Sequence, residues 1–331
     1  MVNFLRFLKT EYMVRKMSIS IWSSLKKYIY QFFYKYKYNK VKEKVVRYKK
    51  GRKTIYIIRI DFPMAGLFAI AKSVLCHIEY SISKGWIPIV DLCNSCNQFN
   101  TGKKNNPWEI FFEQPLNLGL EDISKSDNLV ISTKLQSPNK DYQLTVDLLL
   151  PENENQLNVQ SVFYNKYIRL SKTVKDYVEC KTKELIGDKQ KVLGVLCRGT
   201  DYIEKKPKYH PIQPDPAEVI SKIRDIQNKM NINYIYLATE DSLILEQFES
   251  EFGDKLLFIN QKRLSHTKDS FISDIKISRE EKIRMNLDYI VSMNILSRCD
   301  YLIGGRTSGT IAACLMNNSY KYKYLWDLGL Y

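Results

Sequence analysis

Apolar residues in this chain fall into short unbroken runs separated by longer stretches of helical period. TIYIIRI (54–60) and IPIVDL (87–92) flank an apolar stretch over 67–83, set off on one side by DFPMAG (61–66) and on the other by Gly85-Trp86. Runs of this length bounded by turn residues predict buried strands, and the segment between them predicts a helix. NLVIST (128–133) and LTVDLLL (144–150) read as two more strands, 151–156 as a linker, and 165–186 as one helix containing the domain boundary.

The second half alternates more regularly. VLGVL (192–196) predicts a strand, and a polar loop leads from it to a helix beginning at Asp215-Pro216, with Val219, Ile220, Ile223, Ile226 and Met230 on one stripe. NYIYLAT (233–239), a helix to Phe252, KLLFI (255–259), a helix over 279–297 and CDYLIGG (299–305) before an apolar helix complete the pattern. Strand and helix in alternation predict parallel α/β units, which bind ligands beyond the C-terminal ends of their strands.

Three of those ends carry candidate chemistry. VLGVL stops at Cys197-Arg198-Gly199-Thr200-Asp201, NYIYLAT at Glu240-Asp241, and CDYLIGG at Arg306-Thr307-Ser308-Gly309-Thr310. An arginine fork holds a phosphate and keeps its charge. A helix start bearing hydroxyls and a glycine offers free N–H groups to an anion, and carboxylates accept hydrogens from sugar or ribose hydroxyls. Together these ends suit a nucleotide sugar, although N-capping alone accounts for Ser308, Thr310 and the two acids taken singly. The loop with Asp61 and Gly66, and the block NPWEIFFEQP with Trp108 and Glu109, are read as the acceptor side; core packing explains the aromatic block equally well.

Charge alters the picture at one end only. The 331 residues carry a net charge of +15, but 1–53 hold 16 Lys/Arg against two acids, and the rest 35 against 34. This basic arm is interleaved with Phe, Tyr and Trp and lacks the ~18 uncharged apolar residues of a spanning helix. It is read as a segment for an anionic membrane surface, and the neutral body argues against nucleic acid as the partner. Seven scattered cysteines predict a reducing compartment. The expected location is the cytoplasm, peripheral on the inner face of the membrane. Cys93-Asn94-Ser95-Cys96 has metal-pair spacing without a second pair, so no metal site is expected.

RGTDY, the following YHPI (209–212), YLATED (236–241) and LSRCDYLIGGRTSGT (296–310) resemble the donor half of α1,6-type fucosyltransferases and their nodulation and protein O-fucosyltransferase relatives. The first half resembles bacterial surface-polysaccharide transferases more loosely. The resemblance implies a GT-B fold, two Rossmann-like domains facing across a cleft: an arm over 1–53, an acceptor domain over 54–175 and a nucleotide-sugar domain over 176–331. It implies an inverting, metal-independent glycosyltransferase with no cofactor, moving fucose or a related sugar from a nucleotide sugar, GDP-fucose favoured, to a glycan or surface-polysaccharide acceptor. A non-catalytic nucleotide-sugar or carbohydrate-binding protein is the alternative.

By the same resemblance, Arg198 is the group that neutralises the departing diphosphate. Glu204, two places earlier than the family's glutamate, is read as the first candidate base and Asp201 as the second, ahead of Asp61, because a base needs hydrogen-bond reach of the acceptor oxygen. Gly199, Thr200, Tyr202, His210, Glu240, Asp241, Asp288, Arg306, Thr307, Ser308, Gly309 and Thr310 are the donor-side set. Leu196 stands where the α1,6 enzymes have a histidine and Ser292 where they have an aspartate. Asp288, one helical turn before Ser292, is the candidate replacement, while Tyr202 replaces a lysine.

Overall fold

The structure is a computed structural model that describes residues 43–63, 65–99, 105–138, 144–199, 206, 208–264 and 278–331. Nearly all of the basic aromatic arm, together with Thr200, Asp201, Tyr202 and Glu204, lies outside the described residues.

The first half forms a four-stranded sheet. It comprises β1 (Lys44–Arg47), β2 (Thr54–Ile58), helix α1 (Leu67–Ser83), β3 (Ile87–Val90), the short helix α2 (Pro107–Phe111) and β4 (Asn128–Ser132). The strand order is β1-β4-β2-β3, with β2 parallel to both β3 and β4 and β1 antiparallel on the β4 edge. All five residues of β2 are buried, as a central parallel strand requires.

Two helices follow, α3 (Glu154–Tyr167) and α4 (Lys172–Leu185), and then the second sheet. That sheet contains β5 (Val192–Leu196), α5 (Pro216–Met230), β6 (Tyr234–Ala238), α6 (Ser242–Phe252), β7 (Leu256–Leu257), α7 (Arg279–Arg298), β8 (Tyr301–Gly305), α8 (Ser308–Met316) and β9 (Tyr322–Trp326). It is fully parallel in the order β7-β6-β5-β8-β9, so the winding direction reverses between β5 and β8. A crevice opens at such a reversal because the connections leave in opposite directions. The first sheet has its own reversal between β2 and β4, at the loop that runs into α1.

One continuous apolar core joins the two sheets, running from Tyr56 and α1 through α3 and α4 to α7 and α8. Polar links reinforce the seam. Ser161 Oγ on α3 donates to the Leu315 carbonyl at 2.7 Å, and Lys323 Nζ on β9 lies 2.7 Å from Glu154 Oε2.

Several local expectations are corrected. LTVDLLL is not a strand: Thr145 caps a 3-10 turn over Val146–Leu149, with Leu148 and Leu149 buried. The stretch expected as a linker is helical, a 3-10 turn over Pro151–Asn153 running into α3. The single helix expected over 165–186 is interrupted, because Leu170 bridges to Phe112 and the Ser171 N–H donates to the Phe111 carbonyl at 3.0 Å, so α2 takes the backbone that would continue α3. β1 emerges from the basic stretch, and β9 adds an edge strand.

Candidate active site

The ends of β5, β6 and β8 open into a cleft of about 570 Å³ whose opposite wall is the loop and first turn of α1. Of the residues singled out from sequence, Gly66, Arg198, His210, Glu240, Asp288, Thr307 and Ser308 all line it. A second crevice of about 300 Å³, around Tyr164, Arg169 and Arg298, lies away from the strand ends.

Arg198 leaves the last residues of β5 and is mostly buried. Its Nε lies 3.1 Å from Glu240 Oε1, which also accepts the Gly199 N–H at 3.2 Å. The carboxylate therefore orients both the arginine and the backbone beside it. Gly199 is required here by close approach, since a Cβ would sit about 2.7 Å from the Cβ of Asp241 and closer still to its carboxylate. Cys197 next to it is buried; burial first, and then the carboxylates of Glu240, Asp241 and Asp215, push its thiol up, so it stays protonated.

Across the switch point, Thr307 caps α8: its Oγ1 accepts the Thr310 N–H at 3.1 Å. Thr310 Oγ1 is spent on the Gly305 carbonyl at 2.5 Å and is buried. Gly309 lets Tyr289 of α7 pack against the helix start, where a Cβ would fall 2.5 Å from the Tyr289 hydroxyl oxygen. The Tyr289 ring meets Phe68 of α1 edge to face, centroids 5.1 Å apart, so the two walls touch through an aromatic pair. Lys282 Nζ adds a polar contact to the Gln98 carbonyl at 3.5 Å.

Asp288 lies on the α7 wall. Burial raises its pKa, opposed by Arg284, Lys181 and Arg263. His210 is exposed at the rim, and its loop is held by the end of the chain: the His210 carbonyl accepts the Tyr331 N–H at 3.0 Å, and Ile212 N–H donates to the Gly329 carbonyl at 3.0 Å.

Other sequence-derived candidates do not reach the cleft. Arg306 is buried and pairs with Asp327 and, at 3.7 Å, with Asp147, so it ties the two halves together. Asp241 is buried and caps α6 by accepting from Leu243 N and Ile244 N. Trp108, read as an acceptor platform, is fully buried, stacked on Phe112 at 4.5 Å with its Nε1–H on the Glu113 carbonyl at 3.0 Å. Glu109 Oε1 accepts from Asn106 and Gln114 at 3.2 and 2.7 Å. Asp61 Oδ1 accepts the Cys96 N–H at 2.8 Å. Cys93 Sγ donates to Asp91, and among the described residues no group of three or more His, Cys, Asp or Glu side chains is arranged to hold a metal.

Sequence reasoning missed Phe68, Tyr289, Gln98 and Lys282, which line the cleft from positions that look like ordinary helix or loop residues. The paired glycine and tyrosine, Gly309 and Tyr289, were the available signal for close packing at the helix start.

Two facing sheets, each with a switch point at a shared cleft, define a GT-B type architecture. No family model matches the sequence. Among solved structures, the chain is similar to POFUT1 in complex with GDP-fucose, with a TM-score of 0.52 and 7% identity over 84% of this chain and 99% of that one. It is also similar to an Arabidopsis thaliana FUT1 mutant in complex with GDP, at 0.50 and 11% over 86% and 72%. The fucosyltransferase NodZ from Bradyrhizobium overlaps at 0.47, with 14% identity over 80% and 94%. The fold is similar to that of POFUT1 and FUT1.

Proposed function

We propose that this chain is a glycosyltransferase that uses a nucleotide-sugar donor, with GDP-fucose the favoured donor. The observation that carries the reading is the position of Arg198 and the Thr307-Ser308 helix start on the two sides of the β5/β8 reversal, both facing one cleft. A diphosphate between them meets a fixed cation and free N–H groups. The nucleoside end extends toward Leu196, Asp288 and Ser292, and the sugar toward the loop at Gly66.

In the proposed step an acceptor hydroxyl oxygen attacks the anomeric carbon and the bond from that carbon to the diphosphate oxygen breaks, with inversion. The hydroxyl proton passes to a carboxylate, and the electron pair leaves with the nucleoside diphosphate. Charge grows on the leaving diphosphate, so a cation already in place lowers the barrier most there. No metal is invoked, because Arg198 and the helix start supply that neutralisation. Glu204 is the first proposed base and Asp201 the second. Asp61 ranks behind them because its carboxylate holds the Cys96 N–H. The acceptor is proposed to be a glycan or surface polysaccharide.

The test is nucleotide release from a panel of nucleotide sugars, with and without glycan acceptors, for the wild type and Arg198→Ala. Acceptor-dependent release that the substitution abolishes supports transfer. Donor binding with no turnover on any acceptor favours a non-catalytic binding protein, and Arg198→Ala turning over normally removes the assignment.

A further inference from the structure

One edge of the first sheet carries cations and apolar side chains together. β1 pairs with β4 on one side only, and all of its residues are exposed. It runs into a turn whose backbone is held firmly. Asn128 Nδ2 donates to the carbonyls of Lys49 and Arg52 at 2.9 and 3.0 Å, its Oδ1 accepts the Lys49 N–H, and Gly51 takes φ +78°. Glu43 anchors the start of the strand by accepting from the Tyr80 hydroxyl at 3.1 Å.

On this fixed frame, residues 44–53 place six Lys or Arg and no acid, and every residue from Lys44 to Lys53 is exposed. Asp127 sits beside Lys49 and Arg52 at 3.3 and 3.5 Å, yet those side chains remain 72% and 67% exposed. Between the cations stand Val45, Val46 and Tyr48, exposed by 60%, 47% and 67%. The register of β1 on β4 shifts between Val45 and Arg47, as it does at a bulge.

Charged residues and a bulge are ordinary protection for a strand edge against another strand. Such protection does not call for three exposed apolar side chains among the cations. Aliphatic and aromatic bodies between basic heads fit the boundary of an anionic bilayer, where the apolar groups enter the headgroup layer and the cations meet lipid phosphates. The turn sits at the N-terminal end of β2, and the cleft lies beyond its C-terminal end, so docking here leaves the cleft mouth open.

We propose that β1 and the turn after it, residues 44–53, form a docking surface for an anionic lipid bilayer. The surface is part of the folded first sheet and does not depend on the transfer reaction proposed for the cleft.

The experiment is vesicle co-sedimentation of the full chain on phosphatidylcholine alone and on phosphatidylcholine mixed with phosphatidylglycerol. The variants are a triple Lys49→Gln, Lys50→Gln, Lys53→Gln and a double Val45→Thr, Tyr48→Ser, each checked by thermal melting. Wild type should bind only the anionic vesicles, and each cation removed should weaken partitioning by roughly fivefold. The apolar double variant should weaken it as well, with the melting midpoint of both variants close to wild type. Unchanged partitioning of either variant, or equal binding to neutral vesicles, overturns the proposal. So does a concentration-dependent dimer that keeps the chain off vesicles.

Discussion

Arg198 Nε lies 3.1 Å from Glu240 Oε1, the same oxygen that accepts the Gly199 N–H. The strand-end cation is thus preset by a carboxylate from the end of the neighbouring strand, and its residue lines the cleft. Replacing it should separate chemistry from folding. Arg198→Ala is expected to cut transfer by about 10²–10³-fold, the usual effect of removing one preorganised donor at developing charge. Arg198→Lys should recover only part of that, because an ammonium cannot hold two oxygens in a plane. Steady-state kinetics on both variants, alongside their melting curves, checks this.

Gly199 gives a second prediction. A methyl group there meets the buried side chain of Asp241, which is fixed as the cap of α6. Gly199→Ala should lose about 1–3 kcal/mol through overpacking. It should also lower donor affinity, because the shift moves the backbone that carries Arg198. Chemical denaturation and donor titration on the same preparation distinguish this from a purely local stability effect.

Trp108 separates the corrected role from the expected one. As a core residue stacked on Phe112, Trp108→Ala should cost about 3–5 kcal/mol. Trp108→Phe should restore most of the stability and leave the acceptor KM unchanged. A large rise in acceptor KM in a stable Trp108→Phe enzyme would return this residue to the acceptor site.

His77 predicts a pH dependence of stability. It is fully buried, with Nδ1 3.0 Å from the Tyr56 hydroxyl and Nε2 3.0 Å from the Lys134 carbonyl, an arrangement for the neutral ring that donates from Nε2 and accepts at Nδ1. Burial lowers its pKa to about 4, from 6.5. Between those values the unfolded chain binds a proton that the native chain does not, so stability falls as pH drops from about 6.5 to about 4. The size of that fall is on the order of 3 kcal/mol. Urea unfolding across that window should show the slope, and His77→Gln should flatten it while lowering stability throughout.

The strand-and-helix alternation of the second half was legible because each buried parallel strand is a near-continuous apolar run and each helix shows one stripe. VLGVL, YIYLA and YLIGG needed no tertiary information. The failures have common physical causes. LTVDLLL has strand-like content, but Thr145 and Asp147 favour a capped turn once Leu148 and Leu149 find their partners in the core. β1 hides inside a basic stretch because its strand character comes from pairing with β4 and not from burial.

At the site, Arg198, Glu240, Thr307 and Ser308 were readable because they sit at strand ends, where topology alone brings them together. Arg306 and Asp241 occupy the same kind of position, yet their side chains turn into the fold, and their partners Asp327 and the α6 N-terminus cannot be seen from local sequence. Tyr289 on α7 and Phe68 on α1 come from separate halves of the chain and meet only when those halves close on one another.

The most direct test is thermal-shift and calorimetric titration of the wild type and Arg198→Ala against GDP-, UDP-, CMP- and dTDP-sugars. The prediction is saturable binding by the wild type, strongest for GDP-fucose, and at least tenfold weaker binding by Arg198→Ala with an unchanged apo melting midpoint. Absence of binding to every nucleotide sugar, or equal binding by the two proteins, would contradict a diphosphate site between Arg198 and the start of α8.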